Sequence, residues 1–412
     1  MKYGCIGEKL GHSFSKEIHN LIADYEYELK EIEKDKLSDF MTEADFNAIN
    51  VTIPYKEAVI PHLDSIDEHA MKIGAVNTVV KKDGKLYGYN TDFLGMVALI
   101  DELGLDISDR KCAILGSGGT AKTAKAVLSY LGAREILTVS RKADDGRIDY
   151  NELYSKHTDT EIIVNTTPVG MYPRNESCPI ELDKFGSLHG VIDAVYNPIK
   201  TNLILTAQRM GVKALGGLYM LIMQAIYASE FFTDSKIDQG IARKVYKKLI
   251  SDKTNIVLTG MPSCGKSTVG KVLAKEIGKE FVDTDALIEQ HTGKAIPEIF
   301  RDSGEATFRK IESEVILEVS KRCGIVIATG GGAILDENNV NALRQNGRIY
   351  FIDRDLELLF PTDSRPLSSD REALTSLYNA RHELYEKYAD VTVPSNGSIK
   401  DATYKIKEDF YK

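Results

Sequence analysis

Two glycine-rich loops constrain the fold of this chain more than any other feature of its sequence. One occupies residues 116–121 and the other residues 260–268, and each follows a short apolar run and precedes a helix-like segment. A strand that turns through glycines into a helix leaves backbone N–H groups free at the helix N-terminus, where they bind phosphate. Because the loops lie far apart in the chain, they predict two separate nucleotide-binding units.

Short apolar runs alternate with helical patterns on both sides of these loops. This alternation predicts parallel β-sheets covered by helices, which is an α/β architecture. A chain of 412 residues also exceeds the ~250–300 residues at which a single core stops growing, so two or three domains are expected. The apolar runs are KCAILG (111–116), EILTVS (135–140), EIIVNT (161–166), GVIDAV (190–195), NIVLTG (255–260) and GIVIATG (324–330).

Composition excludes several classes of protein. The net charge is −9 and there is no tract of lysines and arginines, which argues against binding to nucleic acid. The five cysteines are scattered and form no CxxC pair, so neither a disulfide framework nor a zinc site is expected. No apolar run approaches the ~20 residues needed to cross a bilayer, and the first residues do not read as a signal peptide. We expect a cytoplasmic protein with no membrane association and no evident obligatory protein partner.

The first loop has the composition of a dinucleotide site. Its glycines allow a tight turn and a close approach of the backbone to a pyrophosphate, and the following helix adds free N–H groups. An ordinary turn between a strand and a helix is the alternative. The residues assigned to the cofactor here are Gly116, Gly118, Gly119, Thr120 and Ala121.

The end of the next strand indicates which dinucleotide is bound. NAD-binding folds usually carry Asp or Glu there, because a carboxylate binds the ribose hydroxyls. This chain has Ser140, Arg141 and Lys142 instead. A carboxylate would repel a 2′-phosphate, whereas an arginine attracts it, so the sequence predicts NADP(H). Solvated surface charge is the alternative, and it is stronger for Lys142 than for Arg141.

The second loop is a full match to the GxxxxGK[ST] phosphate-binding pattern. In such loops, backbone N–H groups surround the β-phosphate, the lysine reaches the β- and γ-phosphate oxygens, and the Ser or Thr hydroxyl binds Mg²⁺. Here the lysine is Lys266 and the hydroxyl is that of Ser267. The loop therefore predicts ATP and Mg²⁺ as ligands. The residues assigned to ATP are Gly260, Ser263, Cys264, Gly265, Lys266, Ser267 and Thr268.

Seven further segments in the first part of the chain share one resemblance. They are GHSFSKEIHN (11–20), NVTIPYKE (50–57), GAVNTVV (74–80), GYNTDFLG (88–95), NTTPVGMYP (165–173), DAVYNPIKTNLI (193–204) and GGLYMLIMQA (216–225). In this order they resemble shikimate dehydrogenases across nearly all of residues 1–250. The resemblance implies NADPH-dependent reduction of 3-dehydroshikimate to shikimate.

The same resemblance implies a role for individual residues. Lys56 and Asp92 would form the catalytic pair, in which the lysine donates a proton to the ketone oxygen and the aspartate orients it. Met171 and Gly217 would lie near the nicotinamide. For Thr52 and Asn77, a purely structural role in turns is the alternative. The substrate-binding residues that the resemblance implies are Ser13, Ser15, Thr52, Asn77, Asp92, Tyr196 and Gln224.

The last part of the chain carries a second resemblance. Its segments are FVDTDALIEQHTG (281–293), FRKIESE (308–314), three glycines (330–332), SRPL (364–367) and ARHELYEKYAD (380–390). Together with the phosphate loop they resemble shikimate kinases over residues 254–412. The resemblance implies ATP-dependent phosphorylation of shikimate to shikimate 3-phosphate.

The kinase resemblance also implies specific roles. Asp283 would assist Ser267 in holding Mg²⁺, and Asp285 would bind the acceptor hydroxyls and handle the proton. Arg309 and Arg381 would bind the substrate carboxylate, because a guanidinium fork suits that anion. For Arg309, a salt bridge along its helix to a glutamate at position 305 or 312 is a possible additional role. The remaining assigned residues are Gly331 and Gly332 at the substrate and Arg365 on a lid over the ATP phosphates.

These inferences predict a fusion of two enzymes that catalyse adjacent steps. We expect a dehydrogenase substrate domain over 1–92, with 215–252 packing back onto it, and a Rossmann-like NADP domain over 93–214. A P-loop NTPase-type parallel α/β kinase domain would follow over 253–412. Two alternatives remain open: an NAD-dependent quinate-type dehydrogenase fused to another small-molecule kinase, and a regulator that binds these metabolites without catalysis.

Overall fold

A computed structural model describes residues 1–10, 14–144, 146–238, 240–361 and 366–412 of the chain. These residues form two compact units, Met1–Lys248 and Leu249–Lys412. The division falls inside the polar stretch at 243–255, most of which belongs to a helix, Gly240–Lys253. The limits given above for the three domains stay a prediction.

The first unit begins with a six-stranded mixed sheet in the order β2-β1-β3-β5-β6-β4. Its strands are β1 Tyr3–Gly7, β2 Tyr27–Glu31, β3 Ala48–Val51, β4 Ser65–Ile66, β5 Thr78–Lys82 and β6 Lys85–Tyr89. β5 runs antiparallel to both β3 and β6. The turn between β5 and β6 is Asp83-Gly84, and both residues have positive φ (53° and 78°). A two-residue Asp-Gly turn of this kind matches the twist of a hairpin.

The second sheet of this unit is fully parallel, with the order β11-β10-β9-β7-β8. Every residue of β7, β9 and β10 is buried, as expected for parallel strands covered by helices on both faces. The carboxyl ends of these strands lie along one edge of the sheet. The strands are β7 Lys111–Leu115, β8 Glu135–Val139, β9 Ile162–Asn165, β10 Gly190–Asp193 and β11 Lys213–Leu215.

Nine helices accompany these two sheets in the described residues, and the last crosses into the second unit. They are α1 Ser15–Ile22, α2 Leu37–Glu43, α3 Glu68–Ile73, α4 Thr91–Glu102, α5 Gly119–Tyr130, α6 Tyr150–Lys156, α7 Asn202–Arg209, α8 Leu218–Thr233 and α9 Gly240–Lys253. α4 packs closely on α8 at Gly95, where a Cβ atom would lie 2.7 Å from the carbonyl oxygen of Met220. This contact fixes the start of α4, which carries Asp92.

The second unit is built on one parallel sheet with the order β13-β14-β12-β15-β16. Its strands are β12 Asn255–Thr259, β13 Glu280–Asp283, β14 Ile325–Ala328, β15 Gly347–Asp353 and β16 Val391–Pro394. Its helices are α10 Lys266–Ile277, α11 Thr284–Thr292, α12 Ile296–Ser320, α13 Glu337–Asn346, α14 Arg371–Tyr388 and α15 Ile399–Phe410. α12 is kinked at Gly304, whose φ is 79°. β12 is the central strand, and its carboxyl end leads into the second glycine-rich loop.

The predicted α/β architecture is confirmed in both units. Each glycine-rich loop follows a buried parallel strand and precedes a helix, as its sequence context indicates. Within the described residues, none of the helices combines the length and apolar character needed to span a bilayer.

A buried histidine of α1, His19, packs against β2 and α8 in the first unit. The His19 ring stacks on Tyr27, with 3.8 Å between the ring centroids. Its Nδ1 atom is 2.6 Å from the hydroxyl of Tyr25. Burial lowers the pKa of His19 to about 3, because the surroundings disfavour the charged imidazolium. His19 is therefore neutral in the folded protein at every pH above this value.

This histidine should make the first unit sensitive to acid. The unfolded chain takes up a proton at His19 below pH ~6.5, whereas the folded chain does so only near its lowered pKa. The contribution of His19 to the free energy of unfolding is therefore fully present above pH ~6.5. It falls by roughly 2 kcal/mol between pH 7.5 and 5. We expect His19→Phe to remove most of this pH dependence.

Hydrogen exchange of peptides covering β1 and β2 tests this expectation, with the wild type and the variant compared at each pH. His189→Gln is the matched control, because His189 is exposed in the same unit. An equal acid-dependent loss of protection in the wild type and His19→Phe would contradict the assignment.

Candidate active sites

The predicted catalytic pair of the first unit is brought together by β3 and α4. Lys56 lies in the loop that follows β3, and Asp92 lies in the first turn of α4, whose N-cap is Asn90. Lys56 Nζ is 2.5 Å from the Asp92 carboxylate, although the two residues are 36 positions apart in sequence. The side chains are 25% and 17% exposed, so a small molecule can reach both. The pair has the geometry to deliver a proton, and its catalytic role stays a prediction.

Asn77 lies beside this pair, but its side chain is engaged within the protein. Its Oδ1 accepts a hydrogen bond from the backbone N–H of Thr91 at 2.7 Å, and its Nδ2 donates to Thr91 Oγ1 at 3.1 Å. Asn77 is only 3% exposed. The contacts that the structure provides therefore tie β5 to the start of α4, next to Asp92.

The other predicted substrate residues differ in how exposed their side chains are. Gln224 is buried on α8, and its Nε2 donates to the Leu221 carbonyl at 2.9 Å. Thr52 and Tyr196 are partly exposed, and the Tyr196 ring lies 5.4 Å from that of Phe14. Ser15 is the first residue of α1 and is partly exposed. The remaining predicted residue, Ser13, lies outside the described residues.

Sequence reasoning missed a buried polar network beneath these residues. Asn50 accepts a hydrogen bond from the Tyr27 hydroxyl at 2.7 Å and donates to Thr78 Oγ1 at 3.1 Å. Thr78 in turn donates to Asn77 Oδ1 at 3.1 Å. Asn50 and Thr78 stand inside two motifs already noted, and polar residues within otherwise apolar strands were the available signal. A fully bonded network of this kind rigidifies the site.

The first glycine-rich loop has the conformation that a pyrophosphate site requires. Gly116 has a φ of 109°, and a Cβ atom there would lie 2.8 Å from Thr166 Oγ1. Gly118 and Gly119, at the N-terminus of α5, have open space where a Cβ atom would stand. Glycine is therefore required at 116 for backbone reasons, while 118 and 119 leave room for a ligand. Thr120 and Ala121 lie in the first turn of α5.

The residues predicted to select NADP lie just beyond β8. Arg141 and Lys142 are both exposed, and the Ser140 hydroxyl donates to the Lys142 carbonyl. At the predicted nicotinamide end, Met171 is 44% exposed. Gly217 packs so closely on the preceding loop that a Cβ atom would lie 2.3 Å from the Ala194 carbonyl oxygen. These positions fit a cofactor that extends from β8 towards the start of α8.

The second unit contains a cavity of roughly 570 Å³ at the carboxyl ends of its strands. The predicted kinase residues line it from several elements: the phosphate loop with the start of α10, the end of β13, the start of α11, α12, the turn after β14 and α14. Those in its wall are Ser263, Gly265, Lys266, Ser267, Thr268, Asp283, Asp285, Arg309, Gly331, Gly332 and Arg381.

The phosphate loop of this unit is held in an open turn by its own lysine. Lys266 is 8% exposed, and its Nζ donates to the carbonyls of Gly260 and Met261, both at 2.9 Å. Gly265 has a φ of 101°, and at Gly260 a Cβ atom would lie 2.7 Å from the Ile352 carbonyl oxygen. The Lys266 ammonium is thus already directed into the turn in which a phosphate would lie.

The Cys264 thiol faces the interior rather than the cavity. The side chain is fully buried, and its Sγ is 3.8 Å from Lys266 Nζ. A Cβ atom on Gly260 would lie 3.0 Å from this sulfur. Only the backbone of Cys264 is therefore available to a phosphate. Arg365, the predicted lid residue, lies outside the described residues.

Oxygen atoms suited to Mg²⁺ lie next to the phosphate loop. The Ser267 hydroxyl donates to the Asp283 carboxylate at 2.6 Å, and the other oxygen of Asp283 accepts from the backbone N–H of Asp285 at 3.0 Å. Mg²⁺ prefers oxygen ligands and usually takes few of them from protein. Among the described residues, no group of three or more His, Cys, Asp or Glu side chains could hold a metal alone. The site therefore fits a Mg²⁺ ion that also binds nucleotide phosphates.

Two arginines, Arg309 and Arg381, line the cavity of the second unit. Arg309 Nη1 donates to Glu312 at 2.7 Å, and its Nε and Nη2 donate to Glu305. The possible additional role as a helix salt bridge is thus present, although Arg309 still lines the cavity. Arg381 Nη1 donates to the Gly331 carbonyl at 2.9 Å. Burial lowers the pKa of Arg381 and raises that of Glu312, because desolvation disfavours both charges.

The three glycines after β14 allow charged side chains to come close to the backbone. A Cβ atom on Gly332 would lie 2.0 Å from Arg309 Nη1, and one on Gly330 would lie 2.6 Å from Asp285 Oδ1. The Tyr385 hydroxyl donates to the Gly331 carbonyl at 2.5 Å. Sequence reasoning did not assign a role to Gly330 or Tyr385. For Gly330, the run of three glycines was the available signal.

Comparison with known proteins relates these sites to families. A model described as the shikimate dehydrogenase substrate binding domain matches residues 5–79. The shikimate dehydrogenase (NADP(+)) of Clostridium beijerinckii is 39% identical over 262 residues, covering 59% of this chain and 96% of that protein. The chain belongs to the shikimate dehydrogenase family. A second model, described as shikimate kinase, matches residues 262–410.

Solved structures agree with the family of the first unit. The chorismate mutase/shikimate 5-dehydrogenase fusion protein from Clostridium acetobutylicum has a TM-score of 0.57 and 37% identity, covering 60% of this chain and 96% of that one. The shikimate 5-dehydrogenase from Thermus thermophilus, solved with NADP(H) and shikimate, has a TM-score of 0.55 and 25% identity, covering 60% of this chain and 99% of that one. Both predicted resemblances are confirmed: the chain is a fusion of a shikimate dehydrogenase region and a shikimate kinase region.

The close contact at Gly332 generates a prediction for the kinase region. In Gly332→Ala, the added methyl group would displace the Arg309 guanidinium from the cavity wall. Loss of one charged hydrogen-bonding partner costs ~1.5–3 kcal/mol, so the KM for shikimate in ATP-dependent phosphorylation should rise roughly tenfold or more. Steady-state kinetics with ADP release as the signal measure this change.

Gly331→Ala is the matched control, because a Cβ atom there would meet Pro262 at 3.3 Å and the Tyr385 hydroxyl at 3.5 Å, and no atom of Arg309 is among its three nearest neighbours. We expect its effect on the KM to be much smaller. Equal effects of the two substitutions would show that Arg309 is not the group displaced.

Proposed function

We propose that the chain catalyses two successive reactions of the shikimate pathway. The first unit reduces 3-dehydroshikimate to shikimate with NADPH, and the second phosphorylates shikimate to shikimate 3-phosphate with ATP. One observation carries the proposal: two family assignments, made on separate parts of the chain, belong to enzymes whose names share one metabolite. The ketone oxygen reduced at the first site becomes the hydroxyl oxygen phosphorylated at the second.

In the first unit, the proposed chemistry centres on Lys56 and Asp92. The cofactor supplies the hydride to the ketone carbon. The Lys56 ammonium donates a proton to the ketone oxygen, and Asp92, 2.5 Å away, orients the lysine and accepts from a substrate hydroxyl. Asn77 supports this pair by holding the start of α4. The proposed substrate contacts come from Ser13, Ser15, Thr52, Asn77, Tyr196 and Gln224.

The proposed NADP(H) site extends along the carboxyl edge of the second sheet. The free N–H groups at the start of α5 bind the pyrophosphate between Gly116 and Ala121. Ser140 and Arg141 bind the 2′-phosphate, because a hydroxyl and a guanidinium both donate to phosphate oxygens. Met171 and Gly217 lie along the nicotinamide ring. The exposure of Arg141 and the open space at Gly118 and Gly119 support this arrangement.

In the second unit, the proposed chemistry is an in-line phosphoryl transfer. Asp285 accepts the proton of the shikimate hydroxyl as its oxygen forms a bond to the γ-phosphorus and the bond to ADP breaks. Lys266 exchanges its two carbonyl partners for phosphate oxygens. Ser267 and Asp283 hold Mg²⁺, which neutralises charge on the phosphates. Arg309 and Arg381 bind the carboxylate, with the backbone N–H groups of Gly331 and Gly332 nearby, and Arg365 contacts the ATP phosphates.

The domain limits and the cellular setting are part of the same proposal. Residues 1–92 with 215–252 form the substrate domain, 93–214 form the NADP domain, and 253–412 form the kinase domain. We place the protein in the cytoplasm, where NADPH and ATP are available and where thiols stay reduced. The five cysteines of the chain are all free, which agrees with this placement.

One coupled assay tests the proposed function against its alternatives. Purified protein is supplied with 3-dehydroshikimate, NADPH and MgATP, and NADPH oxidation and shikimate 3-phosphate formation are followed together. Parallel reactions with quinate and NAD test the quinate-type alternative. Oxidation of quinate without reduction of dehydroshikimate would favour that alternative, and absence of all turnover would favour a metabolite-binding regulator.

Cofactor selection depends on Arg141 in this proposal. Arg141→Ala should lower kcat/KM for NADPH roughly 10–150-fold, because a charge-assisted contact to the 2′-phosphate contributes ~1.5–3 kcal/mol. The value for NADH, which has no 2′-phosphate, should change little. Lys142→Ala is the control, since the adjacent lysine is also exposed. An equal loss with both cofactors would contradict the role of Arg141.

The two activities should be separable, because each unit carries its own reacting groups. Lys56→Ala should abolish dehydroshikimate reduction and spare phosphorylation, and Lys266→Ala should do the opposite. Both activities are measured on the same purified full-length variants, so the unaffected reaction serves as the internal control. A variant that loses both reactions would show that the two sites are coupled.

A further inference from the structure

A buried carboxylate lies where three loops of the first unit meet. Asp193 is the last residue of β10 and is fully buried. Its Oδ1 accepts hydrogen bonds from Asn165 Nδ2 at 2.9 Å and from the backbone N–H of Val195 at 3.0 Å. Its Oδ2 accepts from Thr201 Oγ1 at 2.6 Å. Three donors thus converge on one side chain, which has no proposed role in binding or catalysis.

The three donors belong to segments that lead to the residues predicted to lie near the nicotinamide. Asn165 ends β9, and its Oδ1 accepts from the backbone N–H and the hydroxyl of Thr167, at 3.1 and 2.7 Å. These bonds begin the loop that leads to the exposed Met171. Thr201 is the N-cap of α7, and its hydroxyl also accepts from the backbone N–H of Ile204. It ends the loop that carries Tyr196.

Backbone contacts join these loops to the turn before α8. The N–H of Gly217 donates to the Val195 carbonyl at 2.9 Å, and the N–H of Tyr172 donates to the Asn197 carbonyl at 3.2 Å. Gly217 also packs against Ala194 without room for a side chain. A displacement at residues 194–197 would therefore move both walls of the predicted nicotinamide site.

We propose that Asp193 is a positioning residue for hydride transfer: its carboxylate fixes the loops that carry Met171 and Tyr196 and the turn that carries Gly217. This inference rests on the proposed dehydrogenase function. Asp193 acts through these segments and touches neither substrate nor cofactor. Ser140 and Arg141 lie just beyond β8, and β7 and β9 separate β8 from β10 in the sheet. The effect of Asp193 is therefore separable from binding of the adenosine end.

The chemistry of the contact favours an ionised carboxylate over an amide. All three partners donate, and a carboxylate accepts without presenting a donor of its own. Burial raises the pKa of Asp193 to about 6, so the group is ionised at pH 7.5 and can accept all three hydrogen bonds. An asparagine at 193 would place an NH₂ group against one of these donors. If this NH₂ faced Thr201, the Thr201 hydroxyl could no longer donate to residue 193, and its oxygen, which already accepts from the Ile204 N–H, would have to accept the amide proton as well.

Two substitutions test the proposal in the full-length protein. We expect Asp193→Asn and Thr201→Val each to lower kcat for dehydroshikimate reduction at least tenfold at pH 7.5. The deuterium isotope effect on kcat with NADPH labelled at the transferred hydrogen should rise, because hydride transfer becomes slower than product release. The affinity for adenosine 2′,5′-bisphosphate, which lacks the nicotinamide, should change less than twofold. Thr201→Ser restores the hydroxyl and should return kcat to within about twofold of the wild type.

The outcomes separate the possible explanations. An unchanged kcat and isotope effect in both variants would overturn the proposal. Loss of adenosine 2′,5′-bisphosphate binding together with kcat would also overturn it, because Asp193 would then support the fold of the whole NADP region rather than the nicotinamide end. If the wild type itself did not reduce dehydroshikimate with NADPH, the proposed function would fail first, and the variants would not be needed to show it.

Discussion

Free backbone N–H groups at the starts of α5 and α10 are the feature on which both sites depend. Each helix begins at the end of a glycine-rich loop that follows a parallel strand, so its first N–H groups lie at the carboxyl edge of the sheet. That edge also collects the loops from neighbouring strands, because parallel strands all end on the same side. In the second unit, this edge gathers the proposed reacting groups close to the start of α10, whereas in the first unit the proposed pair Lys56 and Asp92 comes from the mixed sheet and α4.

The two units hold the side chains of their proposed sites in position by different means. In the first unit, buried polar residues hold the proposed reacting groups: the Asn50–Thr78–Asn77 network bonds to the start of α4, and Asp193 bonds to the loops beyond β9 and β10. Each group in these networks has a partner, and so burial does not leave it unsatisfied. Removing one partner would leave others without a bond, which is why small substitutions in such networks have large consequences.

In the second unit, charged side chains are positioned by close packing against the backbone of glycines. Gly330 and Gly332 allow Asp285 and Arg309 to approach the turn after β14 at distances that no side chain at these positions would permit. Lys266 is held inside its own loop by two carbonyls. Asp285 and Arg309 thus line the cavity, while the Lys266 ammonium is bonded to carbonyl groups of its own loop.

Sequence alone determined the α/β class, the two phosphate-binding loops and the two families, because these depend on local patterns and on motifs read in order. It also paired Lys56 with Asp92, but through resemblance and not through spacing, since no local rule joins residues 36 positions apart. The tertiary structure decided what each polar group does within the fold. It showed that Asn77 bonds to Thr91, that Cys264 faces the interior and that three donors converge on Asp193. The physical reason is that burial and hydrogen-bond partners are set by segments distant in sequence, and these meet only when the sheets and helices have packed.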